Sequence, residues 1–143
     1  MKKVLLGLLF LFTAGCAKAD VKNIFNDYMW EKRVIVMFAP KTDHAARLEQ
    51  IEQFKTIQSG LLDRDIVIWD IVHLEHVKID GIGQPQLWTP PLYETFNAPK
   101  DAFTIILIGK DGGEKLRANT SISEAELFAL IDAMPMRQRE MQQ

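Results

Sequence analysis

Sulfur chemistry is almost absent from this chain, whose 143 residues include a single cysteine, Cys16. One thiol excludes an internal disulfide framework, a CxxC redox pair and a zinc site built on several thiolates. Serine is nearly as scarce: Ser59, Ser121 and Ser123 read as a helix end, a turn and a helix cap, so none is placed for a Ser-His-Asp triad. There is no excess of basic charge either. The 17 Lys and Arg stand against 19 Asp and Glu, a formal charge of -2, and a chain without a basic footprint is not expected to have a nucleic-acid partner. What is present, 48% hydrophobic and 25% charged residues, is the composition of one globular domain.

The first residues read as an address. Lys2 and Lys3 precede the apolar run from Val4 to Phe12, which has the length of a signal-peptide core and falls short of the roughly 20 residues of a membrane-spanning helix. Two processing sites compete. Ala17-Lys18-Ala19 has the small-x-small pattern of ordinary signal peptidase, dividing the chain into a signal peptide (1–19) and a domain (20–143). Thr13-Ala14-Gly15-Cys16 resembles a bacterial lipobox, with Thr13 where that pattern prefers leucine, and would leave a lipid anchor on Cys16. Cleavage after Ala19 removes Lys2, Lys3 and Lys18, leaving 14 basic groups against 19 acidic ones and a charge of -5. Either route leaves a mature chain with no free thiol, hence no thiolate nucleophile, no transmembrane helix, and a periplasmic, secreted or lipid-anchored location.

Hydrophobic periodicity then alternates between helix and strand. A helical lead-in is expected from Val21 to Glu31. Arg33–Ala39 is β-branched and nearly continuous, as a strand buried on both faces would be. From Asp43 as N-cap, Leu48, Ile51, Phe54, Ile57 and Leu61 recur every three to four residues and predict one amphipathic helix ending near Leu62. Asp63-Arg64-Asp65 reads as a solvated turn in which Arg64 pairs a neighbouring carboxylate, and Ile66–Val72 is a second buried strand, completing a βαβ unit with parallel strands. From His76 to Pro99, Gly81, Gly83, Pro85, Pro90 and Pro91 break any period, so a long irregular loop is expected there, with Trp88 and Tyr93 folded back over the core. Phe103–Ile108 and Glu114–Arg117 form a hairpin turned by Asp111-Gly112. Because its glycines join two strands, they are turn chemistry and no phosphate cradle. Ser123 with Glu126 makes a capping box and Ile122 with Leu127 a hydrophobic staple, so a last helix begins at Glu124, buries Leu127, Phe128, Leu130, Ile131 and Met134, and is kinked or ended by Pro135.

Strand, helix, strand, hairpin and helix is the element order of an α/β, thioredoxin-like fold: a central mixed sheet, made of a βαβ unit plus a β-hairpin, flanked by helices. The run Gly109–Arg117, with Leu127-Phe128 and Ile131-Asp132-Ala133-Met134-Pro135-Met136-Arg137, resembles the domain-of-unknown-function 4174 family, and the similarity extends from about Arg33 to Met141. The resemblance implies a peroxiredoxin-like thioredoxin fold of the kind found in bacterial envelope proteins and some animal extracellular-matrix proteins; it implies no agreed activity. Catalytic thioredoxins carry their cysteines after the first core strand, at a helix N-terminus that stabilises a thiolate. Here that position reads Pro40-Lys41-Thr42-Asp43-His44, with no sulfur, so Thr42, which matches the threonine before a peroxidatic cysteine, has nothing to assist. Pro99 lies four residues before Phe103, farther than the usual adjacency of the family's cis-proline.

Two sets of residues are candidates for chemistry. His44 follows the first strand and His73 and His76 the second, so parallel pairing directs all three toward one sheet edge, where with Asp43 or Glu75 they would hold a divalent metal. Trp88, Lys110, Lys115, Arg117, Arg137 and Arg139, interleaved with Met134, Met136 and Met141, form an aromatic and basic set suited to a protein partner or a small anionic ligand. No catalytic or cofactor-binding residue is assigned. The expected function is a non-catalytic binding or interaction module of the cell envelope; the alternative is a metal-binding protein or enzyme using the histidine edge. Intact-mass measurement of the exported protein is expected to give an N-terminus at Asp20, whereas a diacylated N-terminus at Cys16 would establish the lipid-anchored form.

Overall fold

The computed structural model describes residues 25–143, so the expected export signal and both of its expected processing sites lie outside the described residues. The elements are β1 (Arg33–Ala39), α1 (Ala45–Thr56), α2 (Gln58–Asp63), β2 (Ile66–Val72), β3 (His76–Ile79) and β4 (Ile82–Gln84). After a 3-10 turn at Gln86–Trp88 follow α3 (Thr89–Thr95), β5 (Thr104–Ile108), β6 (Glu114–Ala118), α4 (Glu124–Asp132) and α5 (Pro135–Glu140). The strands form one sheet in the order β4-β3-β2-β1-β5-β6. β1 and β2 run parallel with Arg33 opposite Ile66 and Ala39 opposite Val72, and every other pairing is antiparallel. Both core strands have the bounds expected from their β-branched runs.

Every residue of β1 is buried, and alternation along the strand feeds two cores. Ile35, Met37 and Ala39 join Phe54, Leu61, Leu127 and Ile131 under α1, α2 and α4. Val34, Val36 and Phe38 join Trp69, Leu92 and Tyr93 under α3, with Phe25 and Tyr28 against the same face. Ser123 caps α4 as expected, its hydroxyl accepting the Glu126 N–H at 3.2 Å, and Ile122 and Leu127 are buried in one cluster. Pro135 separates α4 from α5 and takes the first position of the latter, where its missing N–H costs nothing.

Several expectations are corrected. Among the described residues the lead-in is helical only at Phe25-Asn26. It then reverses at Trp30, which adopts a left-handed φ of 69° while its N–H donates to the Lys110 carbonyl. His44 caps α1 instead of Asp43, with no side-chain bond, and Asp43 pairs with exposed Lys41. The single helix expected up to Leu62 is two, broken at Ile57.

The reason is that the inward face of α1 is Arg47, Gln50 and Phe54, spaced as a helical stripe but mostly polar, while Leu48 is 46% exposed. Gln50 is tied to the backbone ahead of α4: its Oε1 accepts the Ile122 N–H at 2.7 Å and its Nε2 donates to the Ile122 carbonyl at 3.2 Å. α2 docks on α4 through Gly60, where a Cβ would stand 2.6 Å from the Phe128 ring.

The long irregular loop is also corrected, because residues 76–99 contain the β3–β4 hairpin, the 3-10 turn and α3. Asp80 (φ 46°) and Gly81 (φ 82°) both have positive φ, the signature of a type I′ turn that matches the twist of the strands it joins. Tyr93 is buried and Trp88 packs against the same core, as expected. Substituting Gln50→Ala would strand the buried Ile122 N–H and C=O, and a loss of about 1–3 kcal/mol in denaturant unfolding is expected.

Candidate binding site

The polar stripe of α1 meets the sheet at Asp70. This residue sits inside β2 opposite Met37, on the face that α1 covers. Arg47 is 5% exposed and grips its carboxylate with both ends of the guanidinium fork, Nε to Oδ1 at 2.8 Å and Nη2 to Oδ2 at 2.6 Å. The third arm, Nη1, donates to the Thr42 carbonyl at 2.5 Å, fixing the segment between β1 and α1. From β3, His76 Nε2 approaches Asp70 Oδ2 at 3.0 Å. Burial pulls the Asp70 carboxyl upward, but the bonds from Arg47 and His76 outweigh it and hold the group below the ordinary carboxylate range. The anion is therefore the resident form at neutral pH.

Above this pair the sheet is wider than its helical cover. α1 and α2 do not extend over β3, and between them and β2–β3 opens a cavity of about 630 Å³. Its apolar walls come from Ile66 and Ile68 on the sheet and from Ile51, Phe54 and Leu61 on the helices, and Arg47 and Asp70 reach its wall. Lys78 also lines it, in register with Asp70 across the β2–β3 ladder, whose carboxylate Arg47 and His76 already occupy. On the opposite face Tyr93 secures the same sheet edge: its hydroxyl donates to the Ala39 carbonyl at 2.8 Å, and burial pushes its pKa up to about 12.

The three histidines do not form one site. His44 stacks on Phe103 with centroids 5.9 Å apart, His73 meets Tyr93 edge-on at 5.2 Å, and His76 serves Asp70. Glu75 accepts the Thr42 hydroxyl. Among the described residues no three His, Cys, Asp or Glu side chains gather as an ion would require. Pro99 is trans, since the described residues contain no cis peptide bond.

The basic set is likewise dispersed, and two of its members are buried. Lys110 pairs with Asp65 at 2.8 Å and Glu140 at 2.7 Å. Arg137 donates to the Asp63 carbonyl at 2.8 Å and also engages Asp132 and Glu140. Arg33, 1% exposed, joins them through Glu140 at 3.1 Å. Arg64, expected to pair a neighbouring carboxylate in a solvated turn, does approach Asp63 at 3.7 Å, but its side chain is largely covered: it grips the distant Asp132 at 2.9 and 2.6 Å and lies 3.8 Å above the Phe128 ring. These groups latch α4 and α5 to the end of the sheet opposite the Arg47–Asp70 pair. Lys115 pairs with Asp111 and Arg117 with Glu114, while Arg139 is exposed. Trp88 is half-buried and offers no projecting contact.

A mixed sheet with a parallel βαβ unit at its centre, a hairpin beside it and helices on both faces defines a peroxiredoxin-like thioredoxin-fold domain. Residues 24–140 match the family described as "Domain of unknown function (DUF4174)", and the chain belongs to that family. It is 28% identical over 119 residues to human "Sushi repeat-containing protein SRPX", covering 80% of this chain and 26% of that one. To zebrafish "Coiled-coil domain-containing protein 80" it is 23% identical over 146 residues, covering 88% of this chain and 17% of that protein. The chain thus spans about a quarter or less of the length of these curated relatives. Among solved structures it is similar to the reduced 2-Cys peroxiredoxin of Plasmodium vivax, with a TM-score of 0.58, 13% identity and coverage of 80% and 83% of the two chains. It is also similar to thioredoxin peroxidase I of Plasmodium yoelii, with a TM-score of 0.58, 14% identity and coverage of 80% and 79%. Identity at this level speaks for the fold alone.

Removing one partner of the buried pair leaves an uncompensated charge, so Arg47→Met is expected to cost about 3–5 kcal/mol at pH 7, with Arg47→Met/Asp70→Leu recovering much of the loss. A depressed carboxylate pKa contributes stability that is present above the unfolded value and lost as pH falls through the folded one. The coupling measured in this double-mutant cycle should therefore be full at neutral pH and fade below about pH 4.

Proposed function

We propose that this chain is an exported, thiol-independent binding domain of the cell envelope, released by cleavage after Ala19, and that its ligand site is the cavity between α1–α2 and the β2–β3 floor. The carrying observation is the cavity itself: at about 630 Å³ it lies within the roughly 300–1,000 Å³ of small-molecule pockets. Its walls are apolar and its Arg47–Asp70 wall is locked by a bidentate pair. The segment where thioredoxin-fold enzymes place a thiol reads Pro40-Lys41-Thr42-Asp43-His44, which supports binding over redox turnover.

The ligand class follows from the lining. An apolar body suits Ile51, Phe54, Ile66 and Ile68, and an anionic group suits Lys78, because the two carboxylates of the lining are already engaged, Asp70 by Arg47 and Asp80 by the Ile68 N–H. A small amphipathic anion meets both requirements, and the buried Lys110 and Arg137 are not needed for it. Calorimetric titration with a series of straight-chain carboxylates from hexanoate to dodecanoate tests this reading. Affinity is expected to rise with chain length to a limit, to fall several-fold in Lys78→Gln, and to vanish when Ile68→Trp fills the cavity. Absence of binding throughout the series, or thiol-dependent peroxide consumption by the wild type that Cys16→Ser abolishes, would overturn it.

A further inference from the structure

The ion pairs that latch α4 and α5 to the sheet are short of one negative charge. Among the described residues, Lys32, Arg33, Arg64, Lys110 and Arg137 are tied into a single network by Asp63, Asp65, Asp132 and Glu140, so five cations share four carboxylates. Arg33, Lys110 and Arg137 are buried, and charge withdrawn from water is costly unless it is balanced. A donor is left over as well. Arg33 gives Nη1 and Nη2 to Glu140 and to the Arg64 carbonyl, while its buried Nε has no hydrogen-bond partner. Both the surplus charge and the spare N–H call for an acceptor.

Beside this network opens a cavity of about 550 Å³, within the size range of small-molecule sites. Arg33, Lys110 and Lys115 reach its wall against one carboxylate, Asp111. The stem of Lys115 lies across Gly109, where a Cβ would stand 2.5 Å from its Cε. Its ammonium pairs with exposed Asp111 at 2.7 Å, a surface pair weak enough to yield to a competing anion. The remaining lining is apolar and adaptable: Leu130, Met134 and Met136 at the α4–α5 corner, with Trp30 facing them from the lead-in. Trp30 is 64% exposed, and its left-handed backbone is one that a bulky residue adopts only where the surroundings impose it. The bond from its N–H to the Lys110 carbonyl, 2.6 Å long, imposes it here and keeps the indole at the cavity and out of the core.

We propose that this cavity is a second binding site and that it takes an aromatic carboxylate. The carboxylate supplies the negative charge that the network lacks, beside Arg33, Lys110 and Lys115. The ring is specified by its neighbours, since an indole stacks with flat π-systems and thioether sulfurs make favourable contacts with aromatic edges. A flexible alkyl tail gains from neither. The site is independent of the recess over β2–β3, because no residue lines both cavities.

Calorimetric titration of the intact protein with naphthalene-2-carboxylate, with the indole N–H signals of isotope-labelled protein followed in parallel, tests the proposal. One ligand per chain is expected, with the largest shift at the Trp30 indole and an affinity several-fold above that of naphthalene-2-carboxamide, which has the same ring without the charge. Trp30→Asn, which tolerates the left-handed backbone, and Lys115→Gln are each expected to weaken binding several-fold. Asp111→Asn frees Lys115 while keeping an acceptor for the Gly113 N–H, so it should bind more tightly. Ile68→Trp, which fills the other cavity, should leave the affinity unchanged. Trp30, Lys115 and Asp111 are all exposed, and unchanged thermal melts would verify that these variants fold. No binding up to millimolar ligand, equal affinity for the carboxamide, indifference to both Trp30→Asn and Lys115→Gln, no gain in Asp111→Asn, or loss in Ile68→Trp would overturn the proposal.

Discussion

Strand β1 has no exposed side, and the rest of the molecule is arranged around satisfying that condition. Its backbone is paired on one flank by the parallel β2 and on the other by the antiparallel β5. Its side chains feed two cores that only separate helical layers can close. Parallel pairing with β2 obliges the chain to cross over the sheet, and α1–α2 is that crossover. Because the crossover spans β1 more completely than β3, a recess is left over the widened part of the sheet. The cavity is therefore a product of layer widths: six strands lie beneath a helical cover that is narrower than they are.

The crossover carries a second consequence. Helices that bury an apolar stripe are held by area, whereas α1 is held at discrete points by Arg47 on Asp70 and Gln50 on Ile122. Polar anchors of this kind cost desolvation and contribute modest net stability, but they tolerate only one geometry. They fix where α1 begins relative to the end of β1, and so they set the shape of the recess. In the enzymes of this fold the same strand-to-helix junction positions a sulfur atom; in this chain it positions an ion pair.

Much of this architecture was legible in the sequence. The two core strands, their parallel relation, the β5–β6 hairpin and the start of α4 follow from β-branched runs, turn chemistry and the Ser123 cap. The type I′ hairpin was equally open to reading, since Asp80-Gly81 lies between Ile79 and Ile82, but the surrounding prolines and glycines masked so short a signal. The buried polar stripe was not legible. Periodicity finds apolar faces, and Arg47, Gln50, Arg33, Lys110 and Arg137 look like solvent-facing residues until the carboxylates and carbonyls that neutralise them are brought in from distant parts of the chain. The cavity was hidden for the same reason, because it belongs to the mismatch between layers and to no single segment.

Arg33 and Glu140 bear on the timing of folding. They are separated by 107 positions yet meet in one ion pair, which places the counter-charge for a buried guanidinium almost at the opposite end of the polypeptide. A nascent chain that has made its central strand but not its last helix must either bury that cation alone or leave the strand open, and the second is far less costly. The buried end of the central strand is therefore completed only when the last helix is in place, so the helix that comes last in sequence is also the one that neutralises the first strand.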